Sequence, residues 1–287
     1  MMAVQTKVFD FRVLPRIKEC LGSWTPPGTI VPHQRYVEMY RMHDRVTPIP
    51  IERQIEEMHA AGVHRAVICA ADNEFIYGKK TPNEVIANLQ KRYPDTFIGF
   101  AGVEPYKGMK AVRELEYAVR ELGLKGLNMG PWLHKMLAND KRYYPIYTKA
   151  AELGIPVVLH TSSHFDPTTT METGNPVYLD EVAVDFPELK LVASHAGWPW
   201  ILQMVAVAWR HPNVYLELSG ISPRYLHPEL VRYFDTPILQ DRVLFGTDYP
   251  LYSFTRGVQE FLELPLKDET KDKILWKNAN SLLGLDN

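Results

Sequence analysis

Cysteine is scarce, at 2 in 287 residues. Cys20 and Cys69 are too few for a disulfide framework and lack the paired spacing of a zinc knuckle, so a reduced compartment is expected. No apolar run approaches the ~20 residues that a membrane helix needs. The first residues, MMAVQTKVFDF, lack the cationic start and apolar centre of a secretory signal. Neither charge sign is in excess: 32 Lys and Arg face 34 Asp and Glu, a formal charge of −2. That balance leaves no footprint for nucleic acid, and no basic run suits a lipid surface. These absences predict a cytoplasmic protein with no nucleic-acid or membrane partner.

What the chain does have is a repeated alternation. Eight short apolar runs recur: KVFDF (7–11), RAVICA (65–70), FIGFAGV (97–103), LKGLNM (124–129), IPVVLHT (155–161), LKLVASH (189–195), NVYLELS (213–219) and RVLFGTD (242–248). Each reads as a strand covered on both faces. Between them lie amphipathic stretches such as IERQIEEMHAAG and MKAVRELEYAVRELG, which carry apolar stripes at helical spacing and stop at glycine. Strand and helix repeated eight times predict an α/β (β/α)₈ TIM barrel, one domain spanning 1–287 with an insertion after strand one. A doubly wound open sheet is the alternative, but the Gly-rich phosphate turn that usually follows its first strand is missing.

In such a barrel, function collects at the carboxyl ends of the strands. Those ends carry Asp10, Arg12, Asp72, Asn73, Glu104, Asn128, His160, His195, Glu217, Ser219 and Asp248. Burying so many polar groups separately would be costly, which favours one shared polar pocket. Strand alternation places Asp10, Arg12 and Leu14 on one face, the face expected to look into the barrel.

Three ends are specific. IPVVLHTS puts His160 at the end of strand five, KLVASHAGW puts His195 at the end of strand six, and VLFGTDYP puts Asp248 at the end of strand eight. In that order they resemble the amidohydrolase superfamily, in the branch similar to aminocarboxymuconate-semialdehyde decarboxylase. The resemblance implies that His160 and Asp248 bind a divalent metal, with Asp248 also able to act as a base, and that His195 handles protons. It further implies a His-X-His after the strand-one aspartate. Here those positions hold Arg12 and Leu14, and no histidine precedes His33.

A guanidinium stays charged and would repel a divalent cation. The expectation is therefore a hydrolase of a small carboxylated lactone, ester or amide, working without the usual metal. Asp248 or His195 would activate water, while Arg12 and His160 would stabilise the developing oxyanion. Two alternatives stay open. One is a decarboxylase holding zinc or manganese through His160 and Asp248; the other is a ligand-binding barrel without catalysis. Arg12 could equally be a structural ion pair with Asp10 or Asp248.

Expected substrate contacts are Asp10, Asn73, Asn128, His164, Trp198 and Arg224, around a small anionic substrate. The 15–50 segment, rich in aromatic residues and proline, is too long for an ordinary βα connection and reads as a lid or a subunit contact. A homodimer or larger homo-oligomer is expected.

Overall fold

The eight apolar runs become the eight parallel strands of one barrel. The computed structural model describes residues 7–26 and 28–285. Residues 1–6, part of the stretch behind the cytoplasmic expectation, and Pro27 of the insertion lie outside them. In chain order the strands are β1 (Val8–Val13), β2 (Val63–Cys69), β3 (Ala71–Asn73), β4 (Lys79–Thr81), β5 (Phe97–Gly102), β6 (Gly126–Met129), β7 (Val157–His160), β8 (Leu191–Ser194), β9 (Val214–Glu217) and β10 (Val243–Leu244). The main sheet runs β1-β2-β5-β6-β7-β8-β9-β10, and β3 and β4 form a separate antiparallel hairpin that the apolar pattern did not announce.

Closure comes from the segment just past β10. Phe11 N–H donates to the Phe245 carbonyl at 2.8 Å, Asp248 N–H to the Arg12 carbonyl at 3.0 Å, and Leu14 N–H to the Tyr249 carbonyl at 2.9 Å. Arg12 and Asp248 therefore meet at the seam where the first strand joins the last.

Phe9, Phe11, Val67, Ile98, Phe100, Val158, Val192 and Leu244, drawn from six strands, pack into one cluster that fills the barrel. Phe11 meets Phe100 edge to face with centroids 5.7 Å apart, and burying each such ring contributes roughly 1.5–3 kcal/mol. Alternating residues such as Val8, Ala66, Ile68, Leu159 and Ala193 face the helical layer instead. The predicted helices form at Ile51–Ala60 and Met109–Arg120. Each is followed by a glycine in the left-handed region, Gly62 at φ 81° and Gly123 at φ 73°, where a β-carbon would be strained.

One detail of the strand-one expectation is corrected. Phe9 and Phe11, rather than Asp10, point into the barrel. The β1–β2 register breaks between Asp10 and Val13, and such an irregularity re-aims a side chain. It brings Arg12 to the cavity while Asp10 stays fully buried. No helix among the described residues is long and apolar enough to cross a membrane.

Candidate active site

A cavity of about 150 Å³ opens at the carboxyl end of the barrel. Its floor carries Arg12, Cys69, Asn73, Asn128, His160, His195 and Asp248. Part of its wall comes from the 15–50 segment through Ser23, Trp24, His33 and Tyr36. Trp24 stacks on His33 with centroids 3.9 Å apart and planes 8° from parallel. Trp132 forms another wall, 5.4 Å from the ring of His160.

Arg12 is held on two sides. Its Nε lies 3.3 Å from Asp248 Oδ1, and its Nη1 donates to Asn128 Oδ1 at 3.3 Å. Burial opposes the charge, but Asp248, Cys69 and Glu217 more than offset it, so the pKa is raised. A guanidinium has five N–H donors. These contacts use two, and Nη2 has no hydrogen-bond partner among the described residues. Below it, Asp10 accepts from Thr247 Oγ1 at 2.5 Å, Thr247 N–H at 3.0 Å and Arg12 N–H at 3.1 Å. Burial still pushes its pKa up to about 7. Asp10 anchors the backbone that presents Arg12 and does not line the cavity.

The two histidines face each other, with ring centroids 4.6 Å apart. His160 Nε2 lies 3.0 Å from the Ser162 carbonyl, an acceptor, so Nε2 carries the hydrogen. His195 Nδ1 lies 3.0 Å from both the carbonyl and the hydroxyl of Ser219. Burial first, then the positive charge of Arg12, lowers the His195 pKa to about 4. His160 is lowered well below its ordinary value by burial, His195 and Arg12. Both rings are neutral near pH 7. His195 and Asp248 occupy the left-handed region, at φ 66° and 56°, which is costly for residues with a β-carbon and recurs at functional sites. Gly220 makes room for the His195 ring, since a β-carbon there would fall 2.5 Å from Nδ1.

Besides Asp10, three expected substrate contacts fall away from the cavity. Trp198 is largely exposed. Arg224 is exposed and points to Glu260 at 3.7 Å. His164 stacks on the far side of the cavity lining, against Trp132 at 5.2 Å, with Nε2 on the Thr170 carbonyl and Thr173 Oγ1. The lining also includes residues that were not anticipated, among them two with polar or aromatic side chains. Trp132 and His134 follow β6 in a short helix at Pro131–His134, and only the polar-aromatic tail of NMGPWLH hints at them.

The model of the amidohydrolase family matches residues 8–285. The chain belongs to the amidohydrolase family. Among curated relatives of this amidohydrolase, gamma-resorcylate decarboxylase of a Polaromonas species is 24% identical, over 82% of this chain and 84% of its own. The 2-amino-3-carboxymuconate-6-semialdehyde decarboxylase of Dictyostelium discoideum is 23% identical over 71% of this chain and 66% of its own. An uncharacterized TIM-barrel protein from Bordetella bronchiseptica superposes with TM-score 0.83 at 30% identity, covering 97% of this chain and 99% of that one. A dihydroxybenzoic acid decarboxylase from Polaromonas, with bound manganese and the inhibitor 2-nitroresorcinol, superposes with TM-score 0.72 at 20% identity, covering 98% of each chain.

These relatives correct two expectations. Three of the four carry the names of decarboxylases, so the hydrolase reading gives way to the carboxy-lyase alternative. The preference for a site with no cofactor also falls, because a relative of the same fold binds manganese.

The donor set of this amidohydrolase nevertheless differs from a three-ligand metal site. His160 Nε2 is committed to Ser162, Asp248 is paired with Arg12, and Arg12 brings a positive charge between the strands. Among the described residues no group of three or more His, Cys, Asp or Glu is placed to hold a metal ion. As arranged, these side chains do not fit such an ion.

Proposed function

We propose that this amidohydrolase is a carboxy-lyase that removes CO₂ from a small, planar, anionic carboxylic acid. The observation that carries this reading is the arginine on the cavity floor with uncommitted donors. Arg12 is positioned by Asp248 and Asn128, leaving Nη2 for a substrate carboxylate. A guanidinium fork matches that group in shape and charge. Trp24, Tyr36 and Trp132 give flat walls for a ring or a conjugated chain. Asn73 and Asn128 supply polar contacts on the floor.

Decarboxylation replaces the carboxylate with hydrogen. A proton goes to the carbon that bears the carboxylate, and the electron pair of the breaking C–C bond returns to the conjugated system as CO₂ leaves. His195 shares the cavity with Arg12 and is the group we assign to deliver that proton. His160 packs against His195 and holds its ring edge. In this reading residues 15–50 act as a lid that excludes water, and the enzyme works in the cytoplasm as a homodimer or larger homo-oligomer.

The test is an assay of CO₂ release from a panel of aromatic and dienoic carboxylates, with manganese supplied. Release of CO₂ with formation of the decarboxylated product is expected for at least one member of the panel. Absence of CO₂ across the panel, or conversion of a substrate by addition of water, overturns the reading.

A further inference from the structure

A buried carboxyl group stands behind His195 and has no part in the scheme above. Glu217, at the end of β9, is fully buried, as is Ser219. Glu217 Oε1 accepts the Ser219 N–H at 2.6 Å, and Oε2 lies 2.7 Å from Ser219 Oγ. Ser219 Oγ is in turn 3.0 Å from His195 Nδ1. The fit is close: a β-carbon on Gly246 would fall 2.0 Å from Glu217 Oε1. A chain of short contacts thus runs from a carboxyl sealed inside the barrel to an imidazole at the cavity.

We infer that Glu217 is the proton store of His195, and that Ser219 passes the proton between them. Glu217 and Ser219 are positioning residues. This inference rests on the carboxy-lyase reading for its use, though not for its chemistry.

The hydrogen-bond inventory allows two arrangements. In the first, Glu217 is ionised and accepts both Ser219 donors. Ser219 Oγ then turns a lone pair to His195, so Nδ1 carries the hydrogen and shares it with the Ser219 carbonyl. The opposite nitrogen, Nε2, is bare and acts as a base. In the second, Glu217 holds a proton on Oε2 and donates it to Ser219 Oγ. The hydroxyl hydrogen then points to Nδ1, which gives up its bond to the Ser219 carbonyl, and Nε2 carries the hydrogen as an acid. The two arrangements differ by one proton, taken in at Nε2 and stored at Glu217, while the imidazole stays neutral.

The electrostatics agree with that exchange. Burial is the largest influence on Glu217 and raises its pKa to about 8, opposed by Arg12 and by the two Ser219 bonds and reinforced by Asp248. The charged and titratable groups that face it are Arg12 on β1, Cys69 on β2, Asp248 past β10 and His195 past β8. A proton on Glu217 near pH 7 favours the second arrangement, the one able to donate, while the Ser219 carbonyl beside Nδ1 favours the first. Donation to the substrate carbon from Nε2 draws the Ser219 hydrogen to Nδ1 and the Glu217 proton to Ser219. The balance is R–COO⁻ plus protonated Glu217 giving R–H, CO₂ and ionised Glu217. A solvent proton then restores the store.

The test follows the His195 tautomer by nitrogen-15 spectra of histidine-labelled protein from about pH 6 to about pH 10, with no carboxylate added. His195→Gln assigns the signal. In the wild type, the hydrogen should move from Nε2 to Nδ1 as pH rises through about 8, without an imidazolium form. Glu217→Gln keeps the shape but places a permanent donor against Ser219, so His195 should stay Nε2-protonated throughout. Ser219→Ala leaves only the backbone carbonyl, so His195 should stay Nδ1-protonated throughout. A purely structural pair would not lock the ring in opposite tautomers. A wild-type ring that keeps one tautomer across the range, or two variants that share one, overturns the inference. If Glu217→Gln does not fold, Ser219→Ala against the wild type decides it. A failed CO₂ assay would sink the carboxy-lyase reading and leave these spectra standing.

Discussion

Two charged clusters stand at the carboxyl ends of the strands, and they are built to opposite rules. Around Asp72, Lys80 lies 3.3 Å from one carboxylate oxygen, Lys107 donates to the same oxygen, and the Glu74 N–H binds the other. Lys80 is further shared with Glu114 and Lys107 with Glu74. His134 reaches the Asp72 carbonyl at 3.2 Å through Nε2 and Tyr143 OH at 2.9 Å through Nδ1. Each member has partners, and the cluster ties the β3–β4 hairpin to the body of the barrel. Around Arg12 the count is different: one carboxylate, one amide, and donors left over. Polar residues at a strand end thus brace the fold when their bonding is complete and can receive a ligand when it is not.

Breaking the open cluster should have the largest effect. Arg12→Met removes the guanidinium while keeping much of its stem, and should lower kcat/KM by about 10²–10³-fold, the scale of losing a preorganised charge contact. Arg12→Lys should recover only part of that, because an ammonium cannot reproduce the fork. Steady-state kinetics on the CO₂-releasing substrate measures both. Equal losses for Arg12→Met and for an exposed control such as Arg232→Met would erase the distinction between the clusters.

Breaking the closed cluster should be felt first in stability. Asp72→Asn leaves Lys80 and Lys107 without their buried carboxylate, at a cost of about 2–4 kcal/mol, less than a fully sealed pair because both lysines reach water. Urea denaturation measures it. The fall in kcat/KM should be far smaller than for Arg12→Met.

The smallest effect sharpens the comparison through pH. Burial holds His134 neutral and lowers its pKa to about 4, with the Asp72 carbonyl and carboxylate opposing. Above the ordinary value of 6.5 neither the folded nor the unfolded chain binds that proton. As pH falls from 6.5 towards 4, the unfolded chain takes it up and the folded one does not. Relative to His134→Gln, the wild type should lose about 1–2 kcal/mol between pH 6.5 and about pH 5, seen by denaturation at a series of pH values. A difference that stays constant with pH would mean that His134 takes up its proton equally in the folded and unfolded chains.

Much of this was legible in the sequence. The apolar runs gave all eight barrel strands, because a strand covered on both faces leaves little choice of residue. His160, His195, Asp248, Arg12, Asn73 and Asn128 were placed on strand ends by pattern and do meet at one cavity. The rest depended on features that alternation does not encode. Asp10 was assigned to the cavity because period two was assumed through a stretch whose register shifts. Trp198 and Arg224 were plausible by proximity in sequence, yet they point away from the cavity. Trp132 and His134 reach it from a connection after β6 whose path no periodic signal describes. Decarboxylation stood in the sequence only as an alternative, and the names of relatives raised it above hydrolysis, since the residues on the floor are equally suited to activating water.

The seam of the barrel sets a timetable for making the protein. Arg12 leaves the ribosome 236 residues ahead of Asp248, which closes the strand beside it. At typical synthesis rates they are separated by on the order of ten to fifty seconds. Until then β1 lacks its neighbour, Asp10 lacks the Thr247 bonds that hold it, and the guanidinium has no carboxylate to meet. The cavity floor is complete only once the final strand is in place, so a chain cut short before it carries most of the barrel but lacks Asp248, the residue that fixes Arg12.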